Sequence, residues 1–429
     1  MKKLFFLLLL LPFFVDGQNK AANTDSAKYA SFVKYYTKVI VKQPTDATAY
    51  YKRGNARFNL DDFSGSISDF NQAIRLDGKY EDAFLDRGRA KYALKDYKGS
   101  IEDYTQTIAL DAKSSAAFYN RGLAKRYLED FKGAIDDYTQ AIAINPNDRD
   151  FFNDRGISKK HLQDIQGAIE DYTKCIAVDP NFESPYYNRG IVKKELKDYK
   201  GAMEDFSKAI QLMPDDGDAY CSRGDCKRHL EDYSGAIEDY TKDLSIHEDV
   251  DAYTSRGLSK FHLNDNNGAI ADYTKAIAID PKYANAYYNR GLANEALNNF
   301  AEFLDDCNMY ISMEPKDPDG YFKRGNAKFD LEDYKNAIED YTATIALDPK
   351  YTDAYYNRGL AKRNTEDLRG SVDDYSSAIL IDPNNADAYN NRGIVKQLLK
   401  DDAGACDDFK KALALGSKNA ADNIAKFCK

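Results

Sequence analysis

The dipeptide Arg-Gly returns at Gly54, Gly88, Gly122, Gly156, Gly190, Gly224, Gly257, Gly291, Gly325, Gly359 and Gly393, every step being 34 residues except one of 33. A chain that repeats itself at this period folds by stacking one small unit on the next rather than by closing a single core. The two or three domains that 429 residues would otherwise suggest are therefore not expected.

The unit is clearest from Pro318 to Tyr351. Gly320 to Phe329 reads as one helix, Asp333-Tyr334-Lys335 as a turn, and Asn336 to Leu347 as a second helix that stops at Asp348-Pro349. Tyr321, Gly325, Ala337, Tyr341 and Pro349 fall where the tetratricopeptide repeat (TPR) family has an aromatic, a glycine, an alanine, an aromatic and a proline. The chain strongly resembles a TPR protein over residues 47–417. That resemblance implies an all-α fold, a right-handed superhelical α-solenoid of about eleven helical hairpins with helical caps at both ends.

Both ends differ from the repeat. Lys2 and Lys3, an apolar run from Leu4 to Val15, and Gly17 describe a secretory signal peptide over residues 1–17, cut before Gln18. At ~1.5 Å per residue such a run reaches about 18 Å, short of the roughly 30 Å hydrocarbon layer, so no stable membrane insertion is expected after signal removal. The mature chain is expected in the periplasm or outside the cell. Residues 18–46 read as a polar linker and a capping helix from Ser26 to Lys42, with Phe32, Tyr36, Val39 and Ile40 on one face. Residues 418–429 read as a C-terminal cap with Ile424 and Phe427 turned inward.

Two irregularities interrupt the array. One residue is missing between Gly224 and Gly257, and Ser245 to Asp249 lacks the closing proline, which predicts altered stacking over 244–252. In the eighth repeat Phe303 replaces a small residue, Cys307 an aromatic and Tyr310 an alanine, a pattern of compensating repacking.

An aromatic stands four residues before each repeat glycine, which predicts a row of core rings from Tyr50 to Tyr389. More unusual is the charge. Arg precedes the glycine in all eleven copies, Lys follows that Arg by four in nine, and an Asp stands fifteen after every glycine, from Asp69 to Asp408. Arg and Lys on one helix face repel unless an anion lies between them, so a ladder of Arg to Asp pairs through the array is expected.

Several function classes drop out. The net charge is −10, with basic residues dispersed among acids, which gives no footprint for nucleic acid. His161, His229, His247 and His262 show no metal-ligand spacing, and no nucleophile, phosphate loop or paired-carboxylate motif departs from the repeat. No enzyme, no metal and no cofactor is expected. The six cysteines lack a framework spacing; they read as small core residues, and only Cys406 with Cys428 is placed to tie down the last helix.

The family contacts peptides from first-helix positions that map to six and three before each glycine and one, four and five after it. In the third to sixth repeats these slots hold Tyr119, Arg126, Tyr127, Lys160, His161, Tyr187, Lys194, Arg228 and His229, beside the apolar Leu123, Ile157 and Ile191. Arg126, Lys160, Lys194 and Arg228 occupy one equivalent slot, a basic stripe on an acidic protein. The expected function is a non-enzymatic exported scaffold that binds protein or peptide partners, acidic ones in particular, in a concave groove. The alternative is a carbohydrate or cell-wall module that uses the groove tyrosines. The chaperone-binding pattern of the family is not matched, because Tyr51 and Phe322 fill the slots that need Lys.

Overall fold

The computed structural model describes residues 21–428, so the signal segment lies outside the described residues. Among them are 24 α-helices and no strand. The helices gather into two compact units divided in sequence between Leu212 and Met213. The first holds a leading helix, Ala21–Lys42, and the first five hairpins; the second holds the remaining six and a closing helix, Lys418–Phe427. The leading helix starts five residues ahead of the predicted Ser26, Ala21 and Ala22 being strong helix formers. No helix of the described residues is long and apolar enough to cross a membrane.

Each hairpin turn closes the same way, and all but the eighth, at Asn299, carry a side-chain cap or an Asp at the cap position. After a first helix such as Glu81–Ala93, Lys95 takes φ of 63°, its N–H donates to the Tyr92 carbonyl at 2.8 Å, and the Asp96 N–H donates to the Lys91 carbonyl at 2.9 Å. This is a Schellman closure made without glycine. The same left-handed residue recurs once per hairpin, from Asp61 to Lys400. Asp96 then caps the second helix by accepting from the Gly99 N–H at 3.0 Å. A Cβ on Gly99 would lie 2.2 Å from that carboxylate, so the glycine keeps the cap close, whereas at Asn336 the equivalent bond to Asp333 lengthens to 3.4 Å.

The core follows from the small and large positions of the repeat. Sixteen residues after the repeat glycine an aromatic ring is fully buried in every repeat but the eighth: Phe70, Tyr104, Tyr138, Tyr172, Phe206, Tyr240, Tyr273, Tyr341, Tyr375 and Phe409. Each contributes about 1.5 to 3 kcal/mol by area removed from water. The ring lies flush on the glycine: a Cβ on Gly122 would meet the Tyr138 ring at 2.7 Å. In the eighth repeat Cys307 leaves that place short, and Phe303, only 1% exposed, fills it against Gly291. The predicted compensation is present. The aromatics four before each glycine are mostly half-buried, because each lies under the neighbouring guanidinium, as Phe84 does under Arg87 at 5.3 Å.

The charge ladder is complete in all eleven hairpins, but its rungs lie inside each hairpin. Arg121 donates Nε to Asp137 Oδ2 at 2.9 Å and Nη2 to Oδ1 at 2.7 Å, while Lys125 Nζ reaches Oδ2 at 2.8 Å. Arg57 and Asn294 take the place of Lys toward Asp69 and Asp306. The link to the preceding hairpin is a different bond, from Arg Nη1 to a hydroxyl or amide, such as Arg121 to Thr105 at 3.1 Å and Arg358 to Thr342 at 3.0 Å. One guanidinium thus fixes two hairpins.

Between the sixth and seventh repeats the connection is three residues long, yet Tyr233–Ile246 still packs on Val250–His262. His247 leaves the first of these helices in extended backbone, and Asp249 caps the second through the Ala252 N–H at 2.7 Å. The missing residue is therefore absorbed in the connection. At the far end Phe427 stacks on Phe409 and Cys406 forms a disulfide with Cys428, which holds the closing helix to the last hairpin.

Candidate functional site

The peptide-contact slots fall on first helices. Tyr119, Arg126 and Tyr127 lie on Ser115–Tyr127, Lys160 and His161 end Arg149–His161, and Tyr187 and Lys194 lie on Ser184–Glu195, all in the first unit. Arg228 and His229 end Gly217–His229 in the second. Arg126, Lys160 and Lys194 thus belong to the first unit and Arg228 to the second.

Its cations meet carboxylates of the protein itself. Arg126 Nη1 lies 3.5 Å from Asp154 Oδ1, and the Tyr119 hydroxyl donates to Asp154 Oδ2 at 2.7 Å. Burial pushes the Asp154 carboxyl up, partly countered by Arg126 and by the Tyr119 hydrogen bond. Burial and the same carboxylate push the Tyr119 phenol up in turn. Lys160 Nζ pairs with Glu195 Oε1 at 3.0 Å, with side chains 31% and 50% exposed. Such an exposed pair is worth under about 1 kcal/mol and exchanges its partner cheaply. Arg228 stays near Asp225, at 3.9 Å, and its Nε donates to the Tyr240 hydroxyl at 3.4 Å.

The rings are engaged as well. Tyr127 stacks on Tyr97 at 5.0 Å, Arg126 lies over Tyr127, and Tyr187 tilts against Phe206. Exposed His161 stacks on Phe131 at 4.4 Å, its pKa lowered by burial and by Lys160 and Arg126. Ile157 packs into the cluster of Ala168, Tyr172 and Val192, so that part of the apolar strip belongs to the core. Sequence reasoning missed Asp154 and Glu195. Glu195 stands in one of the contact slots, five after Gly190, and could have been read from them; Asp154 is placed by the stacking of successive hairpins. Among the described residues no three of His, Cys, Asp or Glu gather closely enough to hold a metal ion.

Family profiles described as tetratricopeptide repeat match residues 47–80, 115–148, 184–216 and 352–385, and one described as TPR repeat matches 257–298 and 325–365. No curated protein matches the sequence. Among solved structures, the C-terminal part of a TPR repeat-containing protein from Cytophaga hutchinsonii is 19% identical, with 56% of this chain and 99% of that one covered at a TM-score of 0.50. YrrB, described as a TPR protein with an unusual peptide-binding site, is 22% identical over 43% of this chain and 95% of its own, at a TM-score of 0.39. MamA is 25% identical over 37% of this chain and 93% of its own, at 0.36. Repeat period, hairpin, glycine-on-ring packing and profile matches agree, and the chain belongs to the tetratricopeptide repeat family.

Proposed function

We propose that the protein is a non-enzymatic scaffold that holds protein partners on the first-helix face of its repeats, and that the first unit takes an extended acidic segment along Arg126, Lys160 and Lys194. One observation carries the reading. In every copy the repeat Arg is held by its Asp within the hairpin, whereas the slot four after the glycine varies among Phe58, Tyr92, Arg126, Lys160, Lys194, Arg228, Phe261, Glu295, Phe329, Arg363 and Gln397. The hairpin does not need a cation there, since Phe261 and Phe329 take the same slot and pack on the core. A partner carboxylate can replace Glu195 at Lys160 at little cost, because that pair is exposed.

Export is part of the proposal. The basic and apolar N-terminal segment and the Cys406–Cys428 disulfide both suit an oxidising compartment. Sugar binding by the tyrosines is less favoured, since Tyr119 is committed to Asp154 and one face of Tyr127 to Tyr97.

The test is Lys160→Glu with Lys194→Glu, measured by pull-down of acidic partners alongside thermal melting. Capture is expected to fall at least about tenfold with stability within about 1 kcal/mol of wild type. Unchanged capture by the folded variant would move the binding surface elsewhere.

A further inference from the structure

The contact slots of the sixth and seventh repeats carry the opposite charge. Asp218, Cys221, Asp225 and Arg228 on one first helix, with Asp251 and Thr254 on the next, line a cleft of about 510 Å³ in the second unit, closed by Asp243, His247, Asp249, Ser255 and Tyr283. Five aspartates face a single arginine. Arg228 lies by Asp225, Asp249 is held by its helix cap, and Asp251 accepts from the Tyr283 hydroxyl at 2.7 Å. Among the described residues no Lys or Arg pairs with Asp218, Asp243, Asp249 or Asp251.

Asp243 is the residue that marks the cleft as more than an acidic surface. It stands nineteen after its repeat glycine, where other repeats place Ala73, Ala141, Ala209, Ala276, Ala378 and Ala412. It is 1% exposed, and its Oδ1 makes no hydrogen bond. His247 Nε2 lies 3.3 Å from that oxygen, out of hydrogen-bond alignment, on a ring that is half exposed at the mouth of the cleft. The Cys221 thiol bonds the carboxylate from the adjacent helix, and Asp218 and Asp249 raise its pKa from either side. A buried carboxylate oxygen without a donor costs stability that the alanine of other repeats does not. A donor to Asp243 Oδ1 is what the site lacks.

We propose that this cleft is a binding site for the lysine or arginine side chain of an extended basic segment of a partner protein, the cation reaching Asp243 while Asp218, Asp249 and Asp251 surround the chain that carries it. A bare divalent ion is disfavoured by geometry, since no three ligands converge among the described residues. A flexible side chain needs no such convergence. It supplies several N–H donors at the end of an apolar stem, and the half-exposed imidazole can swing aside to admit it. The proposal rests on the first-helix face as the binding face but on none of the residues of the acidic-partner reading.

The experiment uses the full chain and a fluorescent ten-residue peptide of alternating Lys and Ser, with its Glu counterpart as control. Wild type is expected to prefer the Lys peptide, and Asp243→Ala to weaken it at least about tenfold without lowering the melting temperature. Asp218→Asn, at a side chain 75% exposed, is expected to weaken it a few-fold and is safe for folding. Lys160→Glu with Lys194→Glu is expected to leave it unchanged, which separates failure here from failure of the acidic-partner reading. No preference for the Lys peptide, unchanged binding by Asp243→Ala, or displacement by spermidine at concentrations as low as those of the peptide itself would each overturn the proposal.

Discussion

The sixth and eighth repeats both put a misfit in the same small slot, nineteen after the repeat glycine: Asp243 in one and Tyr310 in the other. Both are admitted by a glycine. A Cβ on Gly320 would lie 2.9 Å from the Tyr310 ring, and one on Gly217 would lie 2.6 Å from Asp243 Oδ1 and 2.4 Å from His247. From there they diverge. Tyr310 donates its hydroxyl to Asp317 and tilts against Tyr288, and Phe303 fills the space that Cys307 leaves, so each of these changes in the eighth repeat is answered nearby. Asp243 is answered on one side only. A repeat that has drifted repacks; a repeat that keeps an unsatisfied buried carboxylate is holding a place for something.

The largest test of this contrast removes the arginine that both repeats share. In the sixth, Lys227 stays 2.9 Å from Asp239 after Arg223→Ala, so the carboxylate keeps a cation. In the eighth, Asn294 stands where Lys would be, and burial already pushes the Asp306 carboxyl up against Arg290 and Asn294. Arg290→Ala is expected to cost about 3 to 5 kcal/mol, and Arg223→Ala about 1 to 3. Urea unfolding of the two variants checks the order; equal losses would mean that Lys contributes nothing to the rung.

Next comes Asp243 itself. Burial pushes its carboxyl up from 3.8 to about 6, with Asp249 and Asp218 adding to the rise and His247 opposing it. A raised carboxyl binds its proton more tightly in the folded state, so its stability is full below about pH 4 and is lost as pH rises toward 6. At neutral pH the loss reaches up to about 3 kcal/mol. Asp243→Ala is expected to be more stable than wild type at pH 7 and equal to it near pH 4, as read by melting across that range. Gly217→Ala sharpens the point: its Cβ would meet both Asp243 Oδ1 at 2.6 Å and His247 at 2.4 Å, so it is expected to cost less in the Asp243→Ala background, where only the half-exposed imidazole has to move. A variant no more stable at pH 7 would mean that the carboxylate is satisfied.

Much of this molecule is legible in the chain because the chain states it eleven times. The period gives the hairpins, and the constant Arg and Asp give the rungs, since like charges at i and i+4 need an anion. The repacking around Phe303 follows from volumes alone. What escapes is set by how one hairpin sits on the next. Asp154 lies 35 residues from Tyr119 and Glu195 lies 35 from Lys160, so the neutralisation of the basic stripe depends on inter-hairpin alignment. Asp243 meets Gly217 across 26 residues for the same reason. The break at 244–252 reads as a stacking fault only if the connection cannot shorten, and Asp249 shows that it can.

The hairpin turn is a further feature that escaped, and it gives the smallest expected effect. Helices that close in the left-handed region ordinarily announce it with Gly or Asn, and here the position holds Asp61, Lys95, Glu129, Gln163, Lys197, Glu231, Glu332, Glu366 and Lys400, with Asn only at Asn264 and Asn298. Nothing in those residue types signals φ near 60°. Each therefore holds a backbone strained by up to about 1 kcal/mol, kept in place by the Schellman bonds and the Asp cap that follows. Glu129 is exposed, with φ of 61°, its N–H bonded to the Arg126 carbonyl at 2.9 Å and the Asp130 N–H to the Lys125 carbonyl at 2.9 Å. Glu129→Gly relieves the strain but loosens the unfolded chain, so a gain of about 0.5 kcal/mol is expected, far below the effect at Asp243 and independent of pH between 4 and 7. Alanine at the same site keeps the strain and removes only the carboxylate, so Glu129→Ala separates backbone from charge. If Ala stabilises as much as Gly, the turn is unstrained and the gain belongs to the lost charge.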